Sequence, residues 1–175
     1  MMRMKGTFTT CLLVVACVTG AARADVDVNA LTQSLVLQEE PAGAIPLAQA
    51  KAKLGLKPQE IVVAGRIGGK GTDPFLKGKA SFSLLEIPAD DHAKKPGHDA
   101  DNCPFCKKRQ ANATMAAVQF LGEDGKPIPV DARKLFGVET GRDVVIRGKG
   151  VFDAKLGVPI IQVNADGIFV REQAQ

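Results

Sequence analysis

The stretch Thr114-Met-Ala-Ala-Val-Gln-Phe-Leu-Gly-Glu-Asp-Gly-Lys-Pro-Ile-Pro-Val-Asp-Ala-Arg-Lys-Leu-Phe-Gly137 holds a strand, a turn and a short helix in succession. Over Thr114 to Leu121, Ala116, Val118 and Phe120 fall on one face and Gln119 on the other, the period of a half-buried strand. Glu123-Asp-Gly-Lys-Pro127 is turn chemistry. Asp131 is a helix N-cap and Gly137 a helix stop, which predicts one or two helical turns between them.

Strand patterns flank this unit on both sides. Upstream, Lys79 to Ile87 alternates Ala80, Phe82 and Leu84 against Ser81 and Ser83. Before it, the β-branched run Glu60 to Ile67 ends in the glycine turn Gly68-Gly-Lys-Gly-Thr-Asp-Pro74. Downstream, Asp143 to Phe152 and Pro159 to Val170 read as two more strands. Pro46 to Gly55 has Pro near its start, helix formers inside and Gly at its stop, which predicts a short helix with Leu47, Ala50 and Leu54 on one side. Gly65, Gly148 and Gly150 interrupt strand interiors, a weakness unless the sheet bends sharply, as it must in a small closed barrel. The pattern predicts a mainly β chain: a five-stranded OB-like barrel with a short N-terminal helix and a short helix between strands 3 and 4.

On the phrases Ile61-Val-Val-Ala-Gly-Arg-Ile-Gly-Gly69, Asp73-Pro-Phe-Leu-Lys-Gly-Lys-Ala80, Asp124-Gly-Lys-Pro127 and Asn164-Ala-Asp-Gly-Ile-Phe-Val-Arg171, with a cysteine-containing loop, the chain resembles a family of exported bacterial proteins built on an OB-like barrel. The resemblance spans Pro46 to Arg171. It implies the fold and an exported location, and it implies no activity.

Residues 1–24 have the layout of a secretory signal, with basic Arg3 and Lys5, the apolar run Cys11 to Val18 and the small-residue ending Ala22-Arg-Ala24. Periplasmic or extracellular residence follows. An alternative is the lipobox-like Val14-Val-Ala-Cys17, which would leave the protein anchored to a membrane through a lipidated Cys17. Cleavage after Ala24 removes three positive charges and no negative one, so the formal charge of +4 becomes +1. A near-neutral domain has no overall field to gather phosphates, which weighs against nucleic acid. The expected order is signal 1–24, tether or frayed helix 25–45, barrel 46–171 with an inserted loop 88–112, and tail 172–175. With no Trp or Tyr, the core must come from Val, Ile, Leu and Phe.

The chemistry is concentrated in the inserted loop. It holds both histidines of the chain, His92 and His98, and the two cysteines that survive signal removal, Cys103 and Cys106. His-x5-His-x4-Cys-x2-Cys supplies two nitrogens and two sulfurs, a donor set for tetrahedral Zn(II) with Cu(I) as the soft alternative, and Pro96-Gly97 lets the segment double back. The leading expectation is therefore a non-enzymatic protein that binds a metal ion, with a protein partner as a further expectation. Asp90, Asp91, Asp99 and Asp101 read as solvated loop carboxylates.

The same thiols admit other readings. An oxidising compartment favours a structural Cys103–Cys106 disulfide, which would close a very small ring. Cys103-Pro-Phe-Cys106 also resembles the active-site phrase of glutaredoxins, and Val158-Pro159 the facing pair of thioredoxin folds. The polar run before the motif and the hairpin upstream do not fit that fold, so the similarity is taken as coincidental. Thiol–disulfide exchange on the barrel remains the alternative, with Cys103 as nucleophile and Cys106 as resolving thiol.

Other motifs fail on spacing. Gly65 to Thr72 lacks the spacing and the Ser/Thr of a phosphate loop, and Cys106 is followed by Lys107, so no haem attachment motif is present. An OB-like barrel also invites an oligonucleotide or ligand at its surface. The phenylalanines that would stack on bases fall mostly at core positions.

Overall fold

The computed structural model describes residues 27–88, 103–155 and 160–172. The expected signal with Cys17, both histidines, the Val158-Pro159 pair and the last three residues lie outside the described residues. In chain order the elements are α1 (Val28–Leu35), β1 (Ile45–Pro46), α2 (Leu47–Lys53), β2 (Gln59–Ile67), β3 (Ser81–Leu85), α3 (Pro104–Asn112), β4 (Met115–Phe120), α4 (Ala132–Phe136), β5 (Asp143–Val151) and β6 (Ile161–Val170).

β2 to β6 close into a five-stranded barrel in the order β2-β3-β4-β6-β5, with β5 pairing back onto β2. All pairings around the barrel are antiparallel except β4 with β6. This is the OB-like architecture, and α4 is the short helix between its third and fourth strands. β1 is a two-residue parallel addition to β2, too short to leave a periodic signal.

The alternation read from sequence is what fills the barrel. Ala80, Phe82 and Leu84 point inward, as do Ala116, Val118 and Phe120, while Ser81 and Ser83 face outward in partly buried positions. A tilted phenylalanine ladder crosses the interior: Phe75 to Phe82 at 6.0 Å, Phe82 to Phe120 at 6.4 Å and Phe120 to Phe136 at 4.6 Å between ring centroids. Phe136 thus carries α4 onto the barrel. Burying each such side chain contributes about 1.5–3 kcal/mol. Leu47, Ala50 and Leu54 anchor α2, as the pattern predicts.

Two ends of the barrel are pinned by charge. Arg66 of β2 and Asp143 of β5 are register partners and pair bidentately, at 2.6 Å and 3.0 Å. At the other seam, Arg147 meets Asp166 at 2.6 Å where β6 carries an extra residue.

Two expectations are refined. Of the two readings of segment 25–45, tether or frayed helix, the structure shows a helix over Val28–Leu35, and Val28, Leu31, Leu35 and its C-cap Val36 pack against the core. The aliphatic spacing was present, but the polar residues between hid a helix whose apolar stripe is only half buried. The inserted loop 88–112 does not stay a loop, because from Pro104 it becomes α3. Pro104 presets the first helical φ, and Lys107-Lys-Arg-Gln-Ala111 are good helix formers.

Candidate functional site

α3 begins at the cysteines. Cys103 is its N-cap, with extended backbone (φ −77°, ψ 118°), and Pro104 occupies the first turn. The Lys107 amide donates to the Cys103 carbonyl at 3.0 Å and closes that turn. Cys106 therefore follows Cys103 by one helical turn, on the same side. The two are not joined by a disulfide, and each is half-buried.

The Cys106 side chain interacts with Cys103. Neutral Cys103 makes no capping hydrogen bond of regular geometry. The amide N–H of Cys106 is the main cause that holds the Cys103 pKa below the usual thiol value; partial desolvation opposes it, and the Phe105 amide, the Cys106 thiol and the Arg109 charge reinforce it. No acidic side chain stands in the first turn to compete for the helix N-terminus. The arrangement makes a nucleophilic or metal-ligating sulfur with a second thiol beside it.

Around the pair, α3 carries Lys107, Lys108 and Arg109 in succession and exposes Phe105 by 74%. The helix leans on the glycine turn after β2, where Gln110 Nε2 donates to the Gly69 carbonyl at 3.4 Å. That turn requires glycine, since a Cβ at Gly69 would stand 2.3 Å from the Thr72 carbonyl oxygen. Sequence reading found the turn but not its contact with the helix, which depends on how β2 and β3 deliver their ends.

Of the four expected ligands, the structure brings Cys103 and Cys106 together. His92 and His98 lie outside the described residues. Among the described residues no group of three or more His, Cys, Asp or Glu side chains is arranged to hold a metal ion.

Two surface grooves lie among the described residues. One, about 240 Å³, lies on the outer face of β3, β4 and β6, lined by Ser81, Ala117, Val118, Gln119, Ile160 and Gln162. Gln119 is tied to Asn164 there at 2.8 Å. Its lining carries neither a cation nor an aromatic ring, unlike a nucleic-acid platform. The other, about 290 Å³, includes Glu86 and Arg171. Glu86 accepts from the Ala48 amide at 2.6 Å and so caps α2, which starts behind Pro46 without a side-chain cap of its own. Burial nevertheless raises the Glu86 pKa against the pull of that amide and the Leu47 amide. No helix among the described residues is long and apolar enough to cross a membrane.

No family model and no curated protein sequence matches the chain. Among solved structures it is similar, at a TM-score of 0.43 and 9% identity, to a crystal structure from Leishmania major Friedlin described as a candidate aspartyl-tRNA synthetase. The match covers 85% of this chain and 26% of that one, so the chain spans about a quarter of the length of that protein.

Proposed function

We propose that this is an exported, non-enzymatic binding protein in which Cys103 and Cys106 chelate one soft cation, Zn(II) or Cu(I), with His92 and His98 as the remaining ligands. The observation that carries the reading is the sulfur pair itself: two thiols, not disulfide-bonded, side by side at the N-terminal end of α3, with Cys103 biased towards thiolate. Metal binding requires that deprotonated form, and the helix end lowers its cost. Two thiolates neutralise Zn(II), while with Cu(I) they leave one negative charge beside a helix bearing Lys107, Lys108 and Arg109. Both soft ions suit the donor set. The two imidazoles enter from the sequence, where they precede Cys103 within a dozen residues.

A second reading rests on the Cys103 position. As an accessible N-cap sulfur of lowered pKa, its thiolate could attack one sulfur of a partner disulfide, forming a mixed disulfide and expelling the other sulfur as thiolate. Cys106, giving its proton to solvent, then attacks the Cys103 sulfur and releases the second partner thiolate. The pair loses two electrons and becomes a disulfide, and the partner gains them as two thiols.

One set of measurements separates the two. Reduced protein, loaded anaerobically and desalted, is expected to retain about one zinc or copper ion per chain by elemental mass spectrometry. Cys103→Ser and Cys106→Ser should each abolish retention, and His98→Ala should weaken it about tenfold or more. Retention unchanged in Cys103→Ser overturns the metal reading. Insulin reduction that depends on Cys103, in protein that retains no metal, installs the second.

A further inference from the structure

The groove of about 290 Å³ beside β1 holds a charge that the fold leaves uncompensated. Glu86, the residue after β3, lines it together with Arg171, which follows β6. The rest of the lining is apolar and short: Ala44 and Ala64, with Pro46, Ile87 and Pro88.

Glu86 is a half-buried carboxylate without a cation. Burial is the main cause that raises its pKa, while the α2 amides that it caps, Ala48 and Leu47, pull the other way. Among the described residues no lysine or arginine forms an ion pair with it. Arg171, the guanidinium of the same groove, is engaged by Glu40 through both Nε and Nη2. Beside it, Arg66 and Asp143 are likewise paired with each other. These pairs are neutral, so the charge left over is that of Glu86.

A carboxylate offers about four acceptor positions, and the α2 amides occupy only part of them. A negative charge drawn partly out of water is costly until a cation meets it. An ammonium group would supply that cation, and the apolar lining would cover an alkyl chain attached to it. A phosphate or carboxylate would instead be repelled by Glu86.

We propose that this groove binds a small protonated alkylamine, its ammonium on the Glu86 carboxylate and its chain along Pro46, Ile87 and Pro88. Such a site goes beyond the reading given above and is independent of the cysteine pair, because none of its residues belongs to α3.

Titration of the full chain with n-butylamine at about pH 7, followed residue by residue through amide NMR shifts, tests it. The Ala48 and Ile87 amides should shift saturably with a Kd on the order of millimolar, the range open to a ligand of about five heavy atoms. n-Butanol has the chain without the charge and ammonium chloride the charge without the chain, and each should bind about tenfold more weakly or worse. Glu86→Gln keeps an acceptor for the α2 amides and should weaken n-butylamine about tenfold or more. Ala44→Leu lies outside the barrel strands, fills the groove and leaves the carboxylate in place, so it should weaken binding as much and keeps the test decisive if the Gln variant does not fold. Shifts that do not saturate, that either control reproduces, or that survive Glu86→Gln or Ala44→Leu in folded protein overturn the site.

Discussion

At Gly148 a single hydrogen in place of a methyl group decides whether the barrel closes. A Cβ there would stand 2.2 Å from the Asn164 carbonyl oxygen and 2.7 Å from the Ala165 Cα, both backbone atoms of the neighbouring strand. The register slips at this point, from Arg147 opposite Gly167 to Gly148 opposite Ala165, so Asp166 is the extra residue of a bulge. Gly148→Ala is expected to cost about 1–3 kcal/mol, because neither strand can give way without breaking the pairing. An unchanged urea midpoint would show that the bulge relaxes freely. That a glycine must bend the strand here was legible in sequence. Which backbone it touches was not, since cross-strand neighbours are set by register and leave no local pattern. The cysteines divide in the same way: their types and spacing were legible as a candidate thiol pair, while the cap position of Cys103 needed the helix to be known.

Helices that pack were easier to read than the one that does not. α4 states both of its ends: Asp131 accepts from the Arg133 amide at 3.0 Å, and Gly137 closes the helix in the left-handed region at φ 65°. α3 follows a polar run containing Pro96 and Gly97 and buries no face, so it offered no apolar period to find. The α4 cap also makes a pH prediction. Hydrogen bonding from the Arg133 guanidinium is the main cause that lowers the Asp131 pKa from 3.8 to about 2, against partial desolvation and with help from the Arg133 and Gly78 amides. A depressed carboxylate pKa means that the unfolded chain takes up the proton first as pH falls. The stabilisation is therefore complete above the ordinary aspartate range and is lost as pH falls from about 4 towards 2. Asp131→Asn keeps a good cap but loses the charge. Its thermal midpoint should lie below wild type at pH 6 and converge with it near pH 2, and a gap that stays constant across that range would mean that the charge has no part in the cap.

For the molecule as a whole, the question is where the folded unit begins. The five alternating strands and the capped helix between the third and fourth made the barrel legible, because each inward position is also an apolar one. The N-terminal segment was not legible, since its contribution comes from docking rather than from its own periodicity. Thr32 Oγ1 donates to the Leu135 carbonyl at 2.8 Å, Leu37 N donates to the Ile168 carbonyl at 2.8 Å, and Val36 pairs with Ile168 as a parallel bridge. Arg171 near the far end of the chain then holds Glu40 through a bidentate pair. These contacts join the first described helix to α4 and to the last strand, so the segment closes the fold rather than leading into it. A chain starting at Pro41 should unfold in one transition with stability lower by about 4 kcal/mol, from the four half-buried aliphatic side chains Val28, Leu31, Leu35 and Val36 at about 1 kcal/mol each. Trimming a true tether changes nothing, so equal denaturation midpoints for a chain starting at Asp27 and the shortened one would return α1 to that role. A lowered midpoint with the transition still cooperative would place the start of the folding unit at α1, ahead of the first barrel strand.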